Sequence, residues 1–89
     1  MPTIRFTTNI QRHVACPTLL VDGTTVSEAL GAYFSGNERA RGYVLDEQGR
    51  LRQHMAVFID GRQMRDRNDL NEPVAADAVI DIVQALSGG

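Results

Sequence analysis

The stretch MAVFIDGRQM, Met55 to Met64, reads as two short strands folded back on each other. Apolar side chains alternate through Met55, Val57 and Ile59, with Ala56 and Phe58 between them, the period of two that sends successive side chains to opposite faces of a sheet. Asp60-Gly61 then interrupts the run. A two-residue hairpin turn needs positive φ at its central positions, and Asp-Gly meets that need better than most dipeptides. Gln63 and Met64 begin the return. A sheet with one apolar face has to be covered, so the flanking sequence is expected to supply both more strands and a helix.

Upstream, TIRFTT, Thr3 to Thr8, is rich in β-branched and aromatic residues and predicts a first strand. TLLVDG, Thr18 to Gly23, follows the Cys16-Pro17 break and predicts a second, stopped by Asp22-Gly23. The period then changes. In TTVSEALGAYFSG, Val26, Ala29, Leu30, Tyr33 and Phe34 recur at spacings of three and four, and Thr25 with Glu28 has the arrangement of a capping box. This predicts the main helix, ended by Gly36-Asn37. The segment GYVLDEQGRLRQH predicts a peripheral hairpin turning at Asp46 to Gly49, with polar flanks.

Downstream, RDRNDLNEPVAAD is polar and loop-like, and AVIDIVQA, Ala78 to Ala85, predicts the last strand, with Ile80 and Ile82 on one face and Asp81 and Val83 on the other. The order gives an α+β domain: a mixed sheet of four to five strands with one main helix on one face, the first and last strands side by side at its centre. The expected core is Ile4, Phe6, Leu20, Val26, Leu30, Phe34, Val57, Ile59, Ile80 and Ile82. The whole chain, 1–89, is read as one domain with a flexible C-terminal tail at 86–89.

Composition narrows the chemistry. A domain of 89 residues buries only about 60 to 65 per cent of its unfolded surface and has room for one core. A net charge of −2 argues against a nucleic-acid binder of the electrostatic kind, and the sequence has no long apolar run or leader-like start, so no membrane partner and a cytoplasmic location are expected. All nine basic side chains are arginine, so none can attack an acyl group as an amine. Cys16, His13 and His54 are too few and wrongly spaced for a metal site. Cys16 reads as a buried, neutral thiol, the histidines as surface residues, and Arg62, Arg65 and Arg67 as a solvated edge that is able to meet an acidic partner.

The chain continues beyond the last strand as QALSGG, Gln84 to Gly89. The order of elements, the MAVFIDG strand and this Gly-Gly ending resemble the β-grasp, ubiquitin-like sulfur carriers of the ThiS and MoaD family, most of all its longer, CysO-like members. The resemblance implies a carrier rather than an enzyme, with no catalytic residue and no bound cofactor. It implies that an E1-like enzyme uses ATP to adenylate the carboxylate of Gly89, and that a sulfur donor (a sulfurtransferase, a cysteine desulfurase or sulfide) displaces AMP to leave a thiocarboxylate. A downstream enzyme would accept the sulfur. Gly88 gives clearance in the partner's channel, because a residue without Cβ permits close backbone approach, and Leu86 and Ser87 set the register of the arm. Partner docking is expected at Phe58, Val83 and Arg62. The alternatives are a ubiquitin-like modifier joined to target proteins through Gly89 and a non-covalent β-grasp interaction module.

Overall fold

The computed structural model describes residues 1–64 and 70–84. Strand β1, Thr3–Phe6, is followed by a single helical turn, α1, Thr8–Gln11. A two-residue strand β2, Leu19–Leu20, leads to helix α2, Val26–Phe34, and a second helix α3, Glu38–Val44. Strands β3, Met55–Ile59, β4, Arg62–Gln63, and β5, Val79–Gln84, complete one sheet of order β2-β1-β5-β3-β4. The last strand is therefore the central one. It runs parallel to β1 through Ile4↔Ile80 and Phe6↔Ile82 and antiparallel to β3 through Val57↔Ile82 and Ile59↔Ile80.

These registers place Ile4, Phe6, Met55, Val57, Ile59, Ile80 and Ile82 on one face, each no more than 6% exposed. Helix α2 covers them with Val26, Ala29, Leu30, Tyr33 and Phe34, the three-and-four spacing seen in the sequence. Its start is fixed by side chains. The Thr25 hydroxyl accepts from the Glu28 backbone N–H (3.1 Å), and the Glu28 carboxylate reaches back one residue further than a standard capping box, to the backbone N–H and hydroxyl of Thr24 (2.9 Å each). Those two donors hold the Glu28 carboxyl below its ordinary pKa. Gly23 has φ +156°, and a Cβ there would lie 2.6 Å from the backbone nitrogen of Ala29, so only glycine lets this loop close on the helix. The β3–β4 turn takes positive φ at both Asp60 (51°) and Gly61 (84°), as its sequence requires.

Three expectations are corrected. The start of the expected peripheral hairpin, Gly42 to Val44, is instead the end of α3: Asn37, taken as the stop of the preceding helix, caps it by accepting from the Ala40 N–H (3.2 Å), and Ala40 and Val44 are fully buried four residues apart. What remains of the hairpin is the turn at Asp46, whose carboxylate accepts from the N–H groups of Gln48 and Arg50, closed by a bridge between Leu45 and Leu51. Both leucines are buried, so this excursion packs on the core rather than lying peripheral to it. Leu20, placed in the core, is 63% exposed: it pairs with Thr3, whose side chain points to the other face, on an edge strand only two residues long. Finally, β1 stops at Phe6 rather than Thr8, because Thr7 turns the chain into α1 and Ile10 then enters the core.

Candidate functional site

The face of the sheet away from α2 carries the alternate residues of the same three strands. Arg5 lies opposite Asp81, Asp81 opposite Phe58, Phe58 opposite Gln63, and Val83 opposite Ala56. Phe58 and Val83 come together in an open groove of about 520 Å³, which Arg5, Asp81, Thr7 and Thr18 also line. The Arg5 guanidinium donates both Nε (2.7 Å) and Nη2 (2.9 Å) to the Asp81 carboxylate, a bidentate pair that closes off the polar middle of this face. The resulting surface is apolar around Phe58 and Val83 and neutral at its centre.

Arg62 does not join them. It pairs with Ile59 across the hairpin, which turns its side chain to the helix side of the sheet, and there it donates to Glu72 at 2.8 Å. Arg65, Arg67, Leu86, Ser87, Gly88 and Gly89 lie outside the described residues.

The end of β5 is held by contacts that no local pattern announces. The Tyr43 hydroxyl donates to Oε1 of Gln84 (3.2 Å), and His13 stacks on the Tyr43 ring with centroids 5.6 Å apart. Gln84 pairs with Met55 in the sheet. The last described residue of the chain is thus fixed by the sheet on one side and by α3 on the other, five residues before Gly89.

The single thiol takes no part in this surface. Cys16 is 3% exposed, and burial pushes it above its ordinary pKa, the opposite of what a nucleophilic thiolate requires. Its neighbour Tyr33 donates to the Pro17 carbonyl and is pushed up to about 12 by burial and by the nearby Cys16. Among the described residues no group of three or more His, Cys, Asp or Glu side chains is placed to hold a metal ion, and no helix is long and apolar enough to cross a membrane.

No family model matches the sequence, and no curated protein matches it. The solved structures are more telling. A chain of the Amycolatopsis orientalis BexX/CysO complex superposes with TM-score 0.82 at 20% identity, covering 100% of both chains. CysO of Mycobacterium tuberculosis gives 0.79 at 15% identity, over 97% of this chain and 100% of that one. The small archaeal modifier protein 1 of Methanosarcina acetivorans gives 0.78 at 19% identity, over 99% and 95%. The fold is the β-grasp. In this β-grasp the helix-facing layer is sealed, the opposite face is open around Phe58 and Val83, and Gln84 of the central strand lies beside Tyr43.

Proposed function

We propose that this β-grasp protein is a sulfur carrier that acts through the carboxylate of Gly89. A free carboxylate is a poor electrophile because it has no adequate leaving group. In the proposed cycle the Gly89 carboxylate attacks the α-phosphorus of ATP in the active site of an E1-like enzyme, releasing pyrophosphate and forming an acyl-adenylate. Hydrosulfide or an equivalent sulfur nucleophile then adds to the acyl carbon and expels AMP, leaving a thiocarboxylate for a downstream enzyme to use. The carrier contributes no catalytic group. Its task is to present an unencumbered acyl carbon, where a misplacement of about 1 Å costs on the order of a hundredfold in rate.

The observation that carries this reading is the position of β5. It is the central strand, paired on both sides, and the Gly88-Gly89 pair follows its anchored end by a few residues. The full-length likeness to two chains associated with CysO supports it. The open face around Phe58 and Val83 suits docking of a partner, with Phe58 as the aromatic anchor. Arg62 pairs with Glu72 rather than standing beside Phe58 and Val83, and the proposed interface is drawn without it.

Intact-mass measurement after incubation with the cognate adenylating enzyme, ATP and sulfide tests the proposal. Replacement of one terminal oxygen by sulfur is the expected result. The likeness to a small archaeal modifier protein favours a second reading, conjugation of Gly89 to lysines of other proteins. Covalent adducts in a cell extract would support it, and an unchanged mass without adenylate formation would leave a non-covalent binding module. Extension by one alanine beyond Gly89 should abolish loading.

A further inference from the structure

The formal charge of −2 hides a separation of charge along the strands. At the end where β5 begins lie Asp22 and Glu28 beside the start of α2, Asp60 in the β3–β4 turn, and Glu72 and Asp77 ahead of β5. Among side chains only Arg62 opposes them, five acids against one base, with the N-terminal ammonium on the Ala76 carbonyl nearby. In the middle Arg5 and Asp81 cancel. At the end where β5 finishes the balance reverses. Arg12 caps α1, Arg39 and Arg41 lie on α3, and Arg50 and Arg52 lead into β3, against Glu38, Asp46 and Glu47. The four charged residues of 65–69, two arginines and two aspartates, cancel in the count and lie outside the described residues. The acidic end thus holds −4 and the other +2, which together account for the whole −2.

Several contacts fix the positive end around the point where the chain passes Gln84. His13, next to Arg12, stacks on Tyr43, and Tyr43 donates to Gln84. Arg39, four residues before Tyr43, shares its side of α3, and Arg41 is on the same short helix. Arg52 donates to the Gly42 carbonyl (3.0 Å), and Met55, three residues on, is the sheet partner of Gln84. Arg12, Arg39 and Arg41 are exposed and make no ion pair with a described residue. Of the opposing acids, Asp46 is turned into its own loop, where backbone N–H groups hold its carboxyl below the ordinary range.

Resting on the carrier reading, we infer that this end is a steering rim: Arg12 and Arg41, with their neighbours, meet an acidic protein surface around the mouth of the partner's active site. Charge placed at the rim of an interface acts mainly on encounter rate and its salt dependence. The location decides the class of partner. A nucleic acid requires several phosphates to be neutralised at once, whereas this rim is interrupted by acids and belongs to an acidic molecule. A protein entrance of matching size with a few carboxylates fits it. The sequence alone pointed to the Arg62, Arg65 and Arg67 run for this task, but the structure sets Arg62 among the acids, paired with Glu72.

The test is steady-state loading by the cognate adenylating enzyme with ATP and sulfide, read by intact mass. R12E/R41E is expected to raise the KM for the carrier on the order of tenfold at low ionic strength, leave kcat within about twofold, and lose its effect as salt is added. The opposite change at the other end, D22R/D77R, is expected to shift KM by less than about twofold. A KM for R12E/R41E equal to wild type, or an equal shift from D22R/D77R, overturns the inference while loading itself still stands. Absence of loading in the wild type sinks the carrier reading and this inference with it. Salt-dependent binding of single-stranded RNA that R12E/R41E abolishes overturns the inference in favour of a nucleic-acid surface. Melting temperatures of both variants establish that they fold.

Discussion

The two faces of the sheet are made by the same strands, residue by residue, yet they have different fates. Ile80 and Ile82 on β5 are fully buried, while their neighbours Asp81 and Val83 are partly exposed; on β3, Met55, Val57 and Ile59 are sealed, while Ala56 and Phe58 are not. One face is spent on folding, since a small domain needs nearly all the burial it can obtain. The other is left apolar without being closed. The fold is therefore specified by half of the sheet residues, and the remaining half is free to be shaped by what the protein meets.

The strongest way to break this comparison is to truncate adjacent residues on β5. Ile82→Ala leaves a cavity beside its sheet partners Phe6 and Val57 and under the helix, and is expected to cost about 3 to 4 kcal/mol. Val83→Ala is expected to cost less than about 1 kcal/mol, because its surroundings are open. Urea titrations of both variants check this. Equal costs would mean that the outer face is covered in the folded protein and is not available for docking.

Next in size is the seam between α2 and the loop before it. Gly23→Ala places a methyl group 2.6 Å from the Ala29 nitrogen in a backbone conformation that L-residues avoid, and the obstacle is backbone, which cannot rotate away. A loss of roughly 2 kcal/mol is expected by thermal melting. A neutral result would show that the covering layer tolerates displacement and is less tightly specified than the sheet it covers.

The same seal makes a pH-dependent prediction. Tyr33 carries a pKa raised from 10.0 to about 12, chiefly because burial disfavours its phenolate. A raised acid holds its proton more tightly folded than unfolded, so its contribution is complete below pH 10.0 and is lost as pH rises toward 12. Cys16 is shifted in the same direction and adds to the alkaline loss. Tyr33→Phe gives up the hydrogen bond to Pro17, at about 1 kcal/mol near neutrality, and should flatten the alkaline limb of the stability curve. An unchanged limb would mean that the tyrosine does not titrate with unfolding.

How far the sequence discloses all this depends on whether a signal is local. The β3–β4 hairpin, the Thr25 cap and the alternation of β5 are local, and each appears where the residues place it. Helix α3 was hidden because Gly36-Asn37 reads as a helix stop and the segment from Gly42 reads as a hairpin around its Asp46 turn, although Ala40 and Val44, four apart, record its buried side. Leu20 failed for another reason: on an edge strand of two residues nothing in the sequence sets the register, and the pairing with Thr3 decides the face. The candidate site divides the same way. Alternation was enough to put Phe58 and Val83 together, but the side taken by Arg62 depends on the residue count of the turn, and Tyr43 reaches Gln84 across 41 positions, which only the topology reveals.

The smallest expected effect probes the middle of the open face. Arg5 and Asp81 form a bidentate pair, yet their side chains are 54% and 27% exposed, so water competes for both charges. A double-mutant cycle with Arg5→Ala and Asp81→Ala is expected to give only a weak favourable coupling, because both charges are open to water even though two hydrogen bonds share the geometry. Added salt should reduce it. A strong coupling that salt leaves unchanged would require the pair to be shielded from water, and a sheet face that shields its charges has a cover. That outcome would erase the contrast between the two faces, since the outer one would then be as closed as the inner, and the groove at Phe58 and Val83 would have to open before any partner reached it.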